Sequence, residues 1–319
     1  MTIKVFSIEY DTINLQNTFT NGDHLTGRIT VDVSKNTKIK SITFVAKGKA
    51  TVRWTERYGP HSTVVYYASE KYFKIEHNIL KKGTGNDGEI ICPGKHVFPF
   101  TFQIPDRNMP CSFKAHPGKI VYSLEAKLHR SMKLAKTART TFTFISKADM
   151  TLPGLMEPQY VTTDKNIVFF ASGNIALNMH TERIGYQQGE VLKVTADVIN
   201  SSTRNVKPIF YFYLKKSFYA RGKRKVDTHN LVKEKGESVP SSTKNTVTRF
   251  IPIAAELTPS ILNCHIIRLE YRLKVVLKVA LTKNPEIKLP VIVLPASQTL
   301  LLEHPPYNLL SEMNKPVSK

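Results

Sequence analysis

The 319-residue chain has few cysteines and no long apolar run. Its three cysteines, Cys92, Cys111 and Cys264, are widely separated and form no Cys-x-x-Cys motif, so we expect neither a disulfide framework nor a zinc ribbon. The longest apolar runs, such as residues 290–296, are far shorter than the roughly 18 residues that a membrane-spanning helix needs. The start of the chain also lacks the apolar segment of a signal peptide. These absences predict a cytoplasmic protein whose contact with membranes is peripheral.

Acidic residues are scarce compared with basic ones. The chain has 25 aspartates and glutamates but 46 lysines and arginines, which gives a formal net charge of +21. Such an excess favours polyanionic partners, namely phosphorylated peptides, anionic membrane surfaces or nucleic acid. The basic residues are spread over both halves without a nucleic-acid recognition motif or an aromatic stacking platform. We therefore expect no nucleic-acid partner.

Alternation of apolar and polar residues dominates the chain. It is clear over residues 42–54, 98–104 and 122–128 in the first half, and over residues 192–198 and 269–279 in the second. This period of two is typical of strands with one buried face, and glycine, proline and asparagine turns separate the segments. The pattern predicts an all-β fold made of two tandem immunoglobulin-like antiparallel β-sandwiches.

The alternation stops between Thr151 and Lys165. This segment contains Pro153, Gly154 and Pro158, a composition typical of a connector between domains. After Ala296 the strand pattern is lost again. We therefore predict a first β-sandwich over 1–150, an interdomain linker over 151–167, a second β-sandwich over 168–296 and a short tail over 297–319.

Several short motifs follow one another in an order that resembles one known family, the arrestin domain-containing proteins or alpha-arrestins. The resemblance runs over about residues 1–296 and rests on their combined order and spacing. The motifs include Val52-Arg53-Trp54-Thr55-Glu56, Pro110-Cys111-Ser112-Phe113, Asn200-Ser201-Ser202, Phe218-Tyr219-Ala220-Arg221-Gly222-Lys223 and Pro259-Ser260-Ile261-Leu262-Asn263-Cys264.

The resemblance implies two curved β-sandwiches with the arrestin fold and the role of a cytosolic adaptor. Members of the family bind membrane cargo, such as the cytoplasmic tails of receptors or transporters. They recruit WW-domain ubiquitin ligases of the HECT type through Pro-Pro-x-Tyr motifs, and endocytosis, ubiquitination and endosomal sorting of the cargo follow. An alternative is a peripheral membrane scaffold that binds anionic lipid or cargo without recruiting a ligase.

The tail departs from the family pattern. In Pro305-Pro306-Tyr307 the tyrosine directly follows the second proline, one residue earlier than in Pro-Pro-x-Tyr. A WW groove reads side chains at fixed offsets along a polyproline helix, so the shift predicts loss of the tyrosine contact. The same tyrosine and Leu310 fit the Tyr-x-x-apolar form that clathrin adaptors bind, although so short a pattern often arises by chance.

A second departure concerns thioredoxin, which one family member captures through a cysteine in its second domain. The matching position here lies near Lys244, and no cysteine is close to it in the sequence. We therefore expect no thioredoxin binding. Cys111 and Cys264 lie within family motifs, and the prediction for both is a small residue of the core.

Two basic sets are candidates for binding cargo or phosphate. The first includes Arg139 and flanks two strands of the first half, where arrestins bind phosphorylated or acidic tails; the second is the densest basic segment, residues 215–225. An ordinary solvent-exposed strand face rich in lysine, without any ligand, accounts for either set equally well. Lys4, in a predicted edge strand over residues 2–10, is a candidate for strand addition. The candidates are Lys4, Lys127, Arg130, Lys133, Lys136, Lys215, Lys216, Arg221, Lys223, Arg224 and Lys225.

No catalytic motif is evident. The chain has no Gly-x-Ser-x-Gly, and its ten histidines show no metal-ligand spacing. Residues 83–88 match Gly-x-Gly-x-x-Gly, but the β-branched residues and the turn that follow do not begin the helix that a dinucleotide site requires. We therefore predict a binding protein without enzymatic activity, metal or cofactor.

Overall fold

The computed structural model describes residues 2–80, 88–148, 152–162, 173–279 and 284–296. These residues form twenty β-strands and no helix, and the all-β prediction is confirmed. Hence the described part of the chain offers no helix that could span a bilayer. The strands are β1 (Ile3–Tyr10), β2 (Thr18–Phe19), β3 (His24–Val33), β4 (Thr37–Ile39), β5 (Ser41–Arg57), β6 (Thr63–Leu80), β7 (Glu89–Ile91), β8 (Gly94–Gln103), β9 (Phe113–Ala115), β10 (Gly118–Arg130), β11 (Lys133–Phe144), β12 (Gln159–Thr162), β13 (Gly173–Thr181), β14 (Gly185–Gln187), β15 (Val191–Ser202), β16 (Val206–Ala220), β17 (Lys223–Lys235), β18 (Thr243–Pro252), β19 (Ile267–Val279) and β20 (Glu286–Leu294).

The chain divides into two compact units. The first comprises Met1–Lys147 together with Tyr213–Leu231 and Ser260–Arg272, and the second comprises Ala148–Phe212, Val232–Pro259 and Leu273–Lys319. Strands β16, β17 and β19 therefore contribute residues to both units. The predicted division into residues 1–150 and 168–296 stays a prediction.

Two sheets form the sandwich of the first unit. One has the strand order β1-β3-β8, and the other has the order β2-β11-β10-β5-β6, with β9 added to β10. The long central pair β5 and β10 is antiparallel, with Ala46 opposite Leu124 and Ala50 opposite Ile120. All four side chains are buried because alternate residues of both strands face the opposite sheet.

Aromatic side chains join the two sheets of the first unit. The ring of Phe44 on β5 stacks on that of Phe100 on β8, with centroids 4.5 Å apart. The ring of Phe142 on β11 meets that of Tyr10 on β1 edge-on at 6.5 Å. These rings bury large apolar areas, which is the main stabilising contribution in such a core.

The second unit contains a four-stranded sheet, β12-β13-β15-β18, and most of a five-stranded sheet of order β14-β20-β19-β16-β17. Alternation again decides burial: Leu192 and Val194 on β15 are fully buried, as are Val275 and Leu277 on β19. The predicted connector is not wholly irregular, because Gln159–Thr162 forms β12 and pairs with β13. The side-chain amide of Gln159 donates to the carbonyl of Pro290 at 3.0 Å, which fixes this strand.

Candidate functional site

The first predicted basic set lies on the paired strands β10 and β11, and its members differ in their contacts. Arg139 lies midway along β11, opposite Glu125, and Arg130 and Lys133 lie at the turn. Lys127 and Lys136 lie next to each other in the register between these two positions. Lys136 is tied to β1, because its Nζ donates to the carbonyl of Ile3 at 3.3 Å. The neighbouring Lys4 is exposed on β1, so it belongs to the same end of the unit.

Glu125 holds Lys127 and Arg139 of this set. Its carboxylate is 6% exposed and lies 2.7 Å from Lys47 Nζ, 2.9 Å from Arg139 Nη2 and 3.6 Å from Lys127 Nζ. Burial opposes its ionisation, yet the hydrogen bonds and charges of Lys47 and Arg139 outweigh burial, so the pKa of Glu125 lies below its usual 4.5. Lys127 and Arg139 therefore neutralise an internal acid, and a partner meets only the remaining charge of the cluster.

The second predicted basic set is the hairpin of β16 and β17. Three of its cations are held within the protein. Lys215 Nζ lies 3.8 Å from Glu270, Lys216 Nζ lies 2.9 Å from Asp227, and Arg224 donates to the hydroxyl of Ser217 at 2.8 Å. The guanidinium of Arg224 also lies over the ring of Tyr219, 5.5 Å from its centroid.

The pKa shifts of Asp227 and Lys215 agree with the pairing of these cations inside the protein. The hydrogen bond from Lys216 lowers the pKa of Asp227, as expected of a carboxylate paired with a cation. Partial burial lowers the pKa of Lys215, although Glu270 opposes this shift. Arg221, Lys223 and Lys225, at the turn and at the start of β17, are exposed like Arg224, but they differ in that they form no ion pair or side-chain hydrogen bond with the described residues. We call these three residues the exposed triad.

Buried contacts hold the hairpin that carries the exposed triad. Phe218 is completely buried, and its ring packs against the backbone of Gly118 at the start of β10. The amide of Tyr219 donates to the carbonyl of Ile266 at 2.9 Å. These contacts fix the backbone of the hairpin, so binding of a partner at the triad costs little further backbone entropy.

The two basic sets do not form one site. Gly118, which touches the β16–β17 hairpin, begins β10, and Arg130 ends it. A strand of this length spans about 40 Å at ~3.3 Å per residue. A short peptide with clustered charges therefore contacts one set or the other.

Sequence reasoning missed Glu125 and Ser217, which hold three of the predicted cations. The signal for Glu125 was present, because it is the only acidic residue between Asp106 and Asp149. Ser217 gave no signal, since its role depends on complete burial beside Arg224.

The remaining predictions concern four tail residues and two cysteines. Pro305, Pro306, Tyr307 and Leu310 lie outside the described residues. Cys111 and Cys264 are 5% and 3% exposed, and burial raises the pKa of both thiols, as is usual for core cysteines. In the described part of the chain, no group of three histidine, cysteine or acidic side chains is arranged to hold a metal ion.

Comparison with known proteins gives consistent matches over both halves of the chain. The model of the N-terminal domain of arrestin (or S-antigen) matches residues 6–151, and that of the C-terminal domain matches residues 171–298. The chain is 27% identical to human "Arrestin domain-containing protein 4" over 282 residues, which cover 86% of this chain and 68% of that protein. It is 26% identical to human "Thioredoxin-interacting protein" over 297 residues, which cover 91% of this chain and 74% of that protein.

Proposed function

The chain belongs to the arrestin family, and from this membership we propose that it is an adaptor for the cytoplasmic tails of membrane receptors or transporters. In this role it couples bound cargo to endocytosis and endosomal sorting, at the plasma membrane and on endosomes, and it couples cargo to ubiquitination only where a ligase binds despite the shifted tyrosine of Pro305-Pro306-Tyr307. Its mechanism is recognition without chemistry. The resemblance to arrestin domain-containing relatives supports the proposal.

One observation carries the proposal, namely the exposed triad Arg221, Lys223 and Lys225 on a fixed hairpin. Its charges lie within a few residues of one another, which suits a short acidic or phosphorylated segment of a tail. Each charge-assisted hydrogen bond to a phosphoryl oxygen is worth about 1.5–3 kcal/mol before screening by salt. The cations that pair internally are less available for such bonds, so we assign tail binding to the triad.

A peptide-binding measurement tests this assignment. The probe is a fluorescein-labelled peptide with clustered phosphoserines, compared with its unphosphorylated form by fluorescence anisotropy at physiological salt. We expect the phosphorylated form to bind more tightly. The triple variant Arg221→Glu, Lys223→Glu, Lys225→Glu should weaken that binding at least about tenfold, because it replaces three favourable contacts with repulsion.

The chain offers a control with the same change in net charge. Lys207, Lys244 and Lys278 are exposed lysines elsewhere, and their replacement by glutamate lowers the net charge by the same amount. An equal loss of affinity in this control would show that only net charge matters, and tail binding at the triad would then be rejected. Binding of phosphatidylserine vesicles but not of the peptide would favour the scaffold alternative.

Ligase recruitment is tested separately. A purified WW domain of a HECT-type ligase is titrated against the natural chain and against a variant with one alanine inserted between Pro306 and Tyr307. The insertion creates Pro-Pro-x-Tyr, so we expect binding only by the variant. Equal binding by the natural chain would show that the one-residue shift is tolerated, and the chain would then recruit ligases by itself.

A further inference from the structure

The hairpin that joins β10 to β11 exposes two large apolar side chains at its tip. Met132 is 104% exposed and Leu134 is 93% exposed, so neither side chain packs against the protein. Alternation places Leu134 on the same face as the buried Phe142 and Phe144, but beyond the end of the core. Single exposed apolar residues are common, whereas two neighbouring ones on a projecting tip call for a partner.

The backbone at the tip is also strained, at Met132. Met132 has a φ of +52°, in the left-handed region that glycine and asparagine tolerate and that other side chains rarely adopt. An asparagine there would lower the strain and remove the exposed apolar surface. The methionine therefore does not serve stability, and a strained residue of this kind points to a role in binding.

Cations flank the apolar tip. Arg130 and Lys133 lie opposite each other across the turn, and Lys136 is fixed beside β1 by its hydrogen bond to the carbonyl of Ile3. No acidic residue occurs between Glu125 and Asp149. A projecting apolar tip flanked by cations is complementary to a bilayer with anionic headgroups, because the tip enters the acyl boundary while the cations stay at headgroup level.

We propose that the tip of the β10–β11 hairpin inserts Met132 and Leu134 into anionic membranes. The shape of the tip favours a bilayer over a protein partner, since a stable protein interface needs about 800 Å² from each side and two projecting side chains provide far less. A fluid bilayer closes around a narrow projection without a matching pocket. This proposal does not depend on the adaptor function, because a vesicle contains no cargo.

Sedimentation with vesicles tests the proposal on the full chain. The vesicles contain phosphatidylcholine with phosphatidylserine, or phosphatidylcholine alone. The double variant Met132→Asn, Leu134→Asn should reduce binding to the anionic vesicles about tenfold, because two apolar side chains no longer enter the bilayer. Because asparagine tolerates positive φ, the melting temperature should stay the same or rise, which excludes misfolding as the cause.

Leu15 provides a matched control. It is 101% exposed, but residues 11–23 around it contain no lysine or arginine. This segment follows the end of β1 at Tyr10, whereas Lys136 of the hairpin contacts the other end of β1, at Ile3. Leu15→Asn removes a comparable exposed side chain and should leave vesicle binding unchanged. A loss as large as that of the tip variant would overturn the proposal, because exposed apolar area in general would then be responsible.

Fluorescence distinguishes insertion from surface adsorption. The chain has one tryptophan, Trp54, which is 3% exposed and gives a constant background. In the variant Met132→Trp we expect a blue shift on anionic vesicles and quenching by lipids brominated on their acyl chains. Vesicle binding without either change would contradict insertion. The double variant Arg130→Glu, Lys133→Glu gives a further test. If it weakens binding of the phosphoserine peptide but not binding to anionic vesicles, the tip is a peptide site, and the proposal is refuted.

Discussion

The ring of Phe218 packs directly on the backbone of Gly118. A Cβ atom at position 118 would lie 2.7 Å from Cδ1 of Phe218 and 3.0 Å from Cδ1 of Ile267. Phe218 is completely buried, so its ring has no free space into which it can move. We therefore expect Gly118→Ala to lower the free energy of unfolding by about 1–3 kcal/mol, the usual cost of overpacking a core. Urea unfolding followed by Trp54 fluorescence measures this loss.

The same substitution should weaken phosphopeptide binding, because Phe218 positions the hairpin that carries the exposed triad. A compensating variant separates this effect from general damage. Phe218→Leu creates a cavity when it is alone, but it should recover part of the stability lost in Gly118→Ala when the two are combined. Strictly additive losses would show that the two positions do not clash.

Glu125 is the second position where one residue organises several others. Replacing it by glutamine leaves Lys47, Lys127 and Arg139 without their shared anion. All three cations reach solvent, which screens the repulsion among them, so we expect a modest loss of about 1–2 kcal/mol at neutral pH. Lys119→Gln, an exposed lysine on the same strand, should cost little and serves as the control.

The pH dependence of this loss follows from the depressed pKa of Glu125. Because the folded protein binds this proton less readily than the unfolded chain does, the contribution is complete above the unfolded value of about 4.5. It is lost as the pH falls through the lower folded value. The stability difference between the wild type and Glu125→Gln should therefore shrink on acidification below pH 4.5. A constant difference would show that packing, not charge, explains the effect.

The strands were predictable because one face of each is buried. Over residues 42–54 and 269–279 alternation alone places β5 and β19 and identifies their core side chains. The strand β12 was missed because it has only four residues and lies beside prolines and a glycine. Its stability depends on Gln159, whose partners Thr181 and Pro290 are distant in sequence. The division into domains over 1–150 and 168–296 stays a prediction.

The candidate site was only partly predictable from the sequence. A run of lysines and arginines shows where charge is dense, but pairing depends on what faces each side chain across the sheet. Lys216 and Lys223 look alike in the sequence, yet Lys216 pairs with Asp227 whereas Lys223 is exposed. Met132 was also missed, because neither its full exposure nor its positive φ is visible in the sequence.

This difference between the lysines gives a prediction. Lys216→Gln should leave Asp227 without its partner and change stability slightly, by about 0.5–1 kcal/mol, because Asp227 is largely exposed. Lys223→Gln should leave stability unchanged but weaken phosphopeptide binding about three- to tenfold. Anisotropy titrations at two salt concentrations check this, because loss of a contact between Lys223 and a phosphate also lowers the salt dependence of the peptide's affinity. Equal effects of the two substitutions on affinity would show that the triad is not distinguished from its neighbours.

Asn200 gives a test in the second unit. Its side chain is 1% exposed, and its Nδ2 lies within hydrogen-bonding distance of the carbonyls of Arg204, Val239 and Pro240. Asn200→Ala should cost about 2–3 kcal/mol, because it leaves buried acceptors without a donor. Asn200→Asp should cost more at neutral pH, since its carboxylate faces carbonyl oxygens, and part of this loss should be recovered on acidification, when the protonated acid donates. Ser201→Ala, at the exposed neighbouring position, should change the urea midpoint little; an equal shift would place the effect in strand propensity instead of in the buried amide.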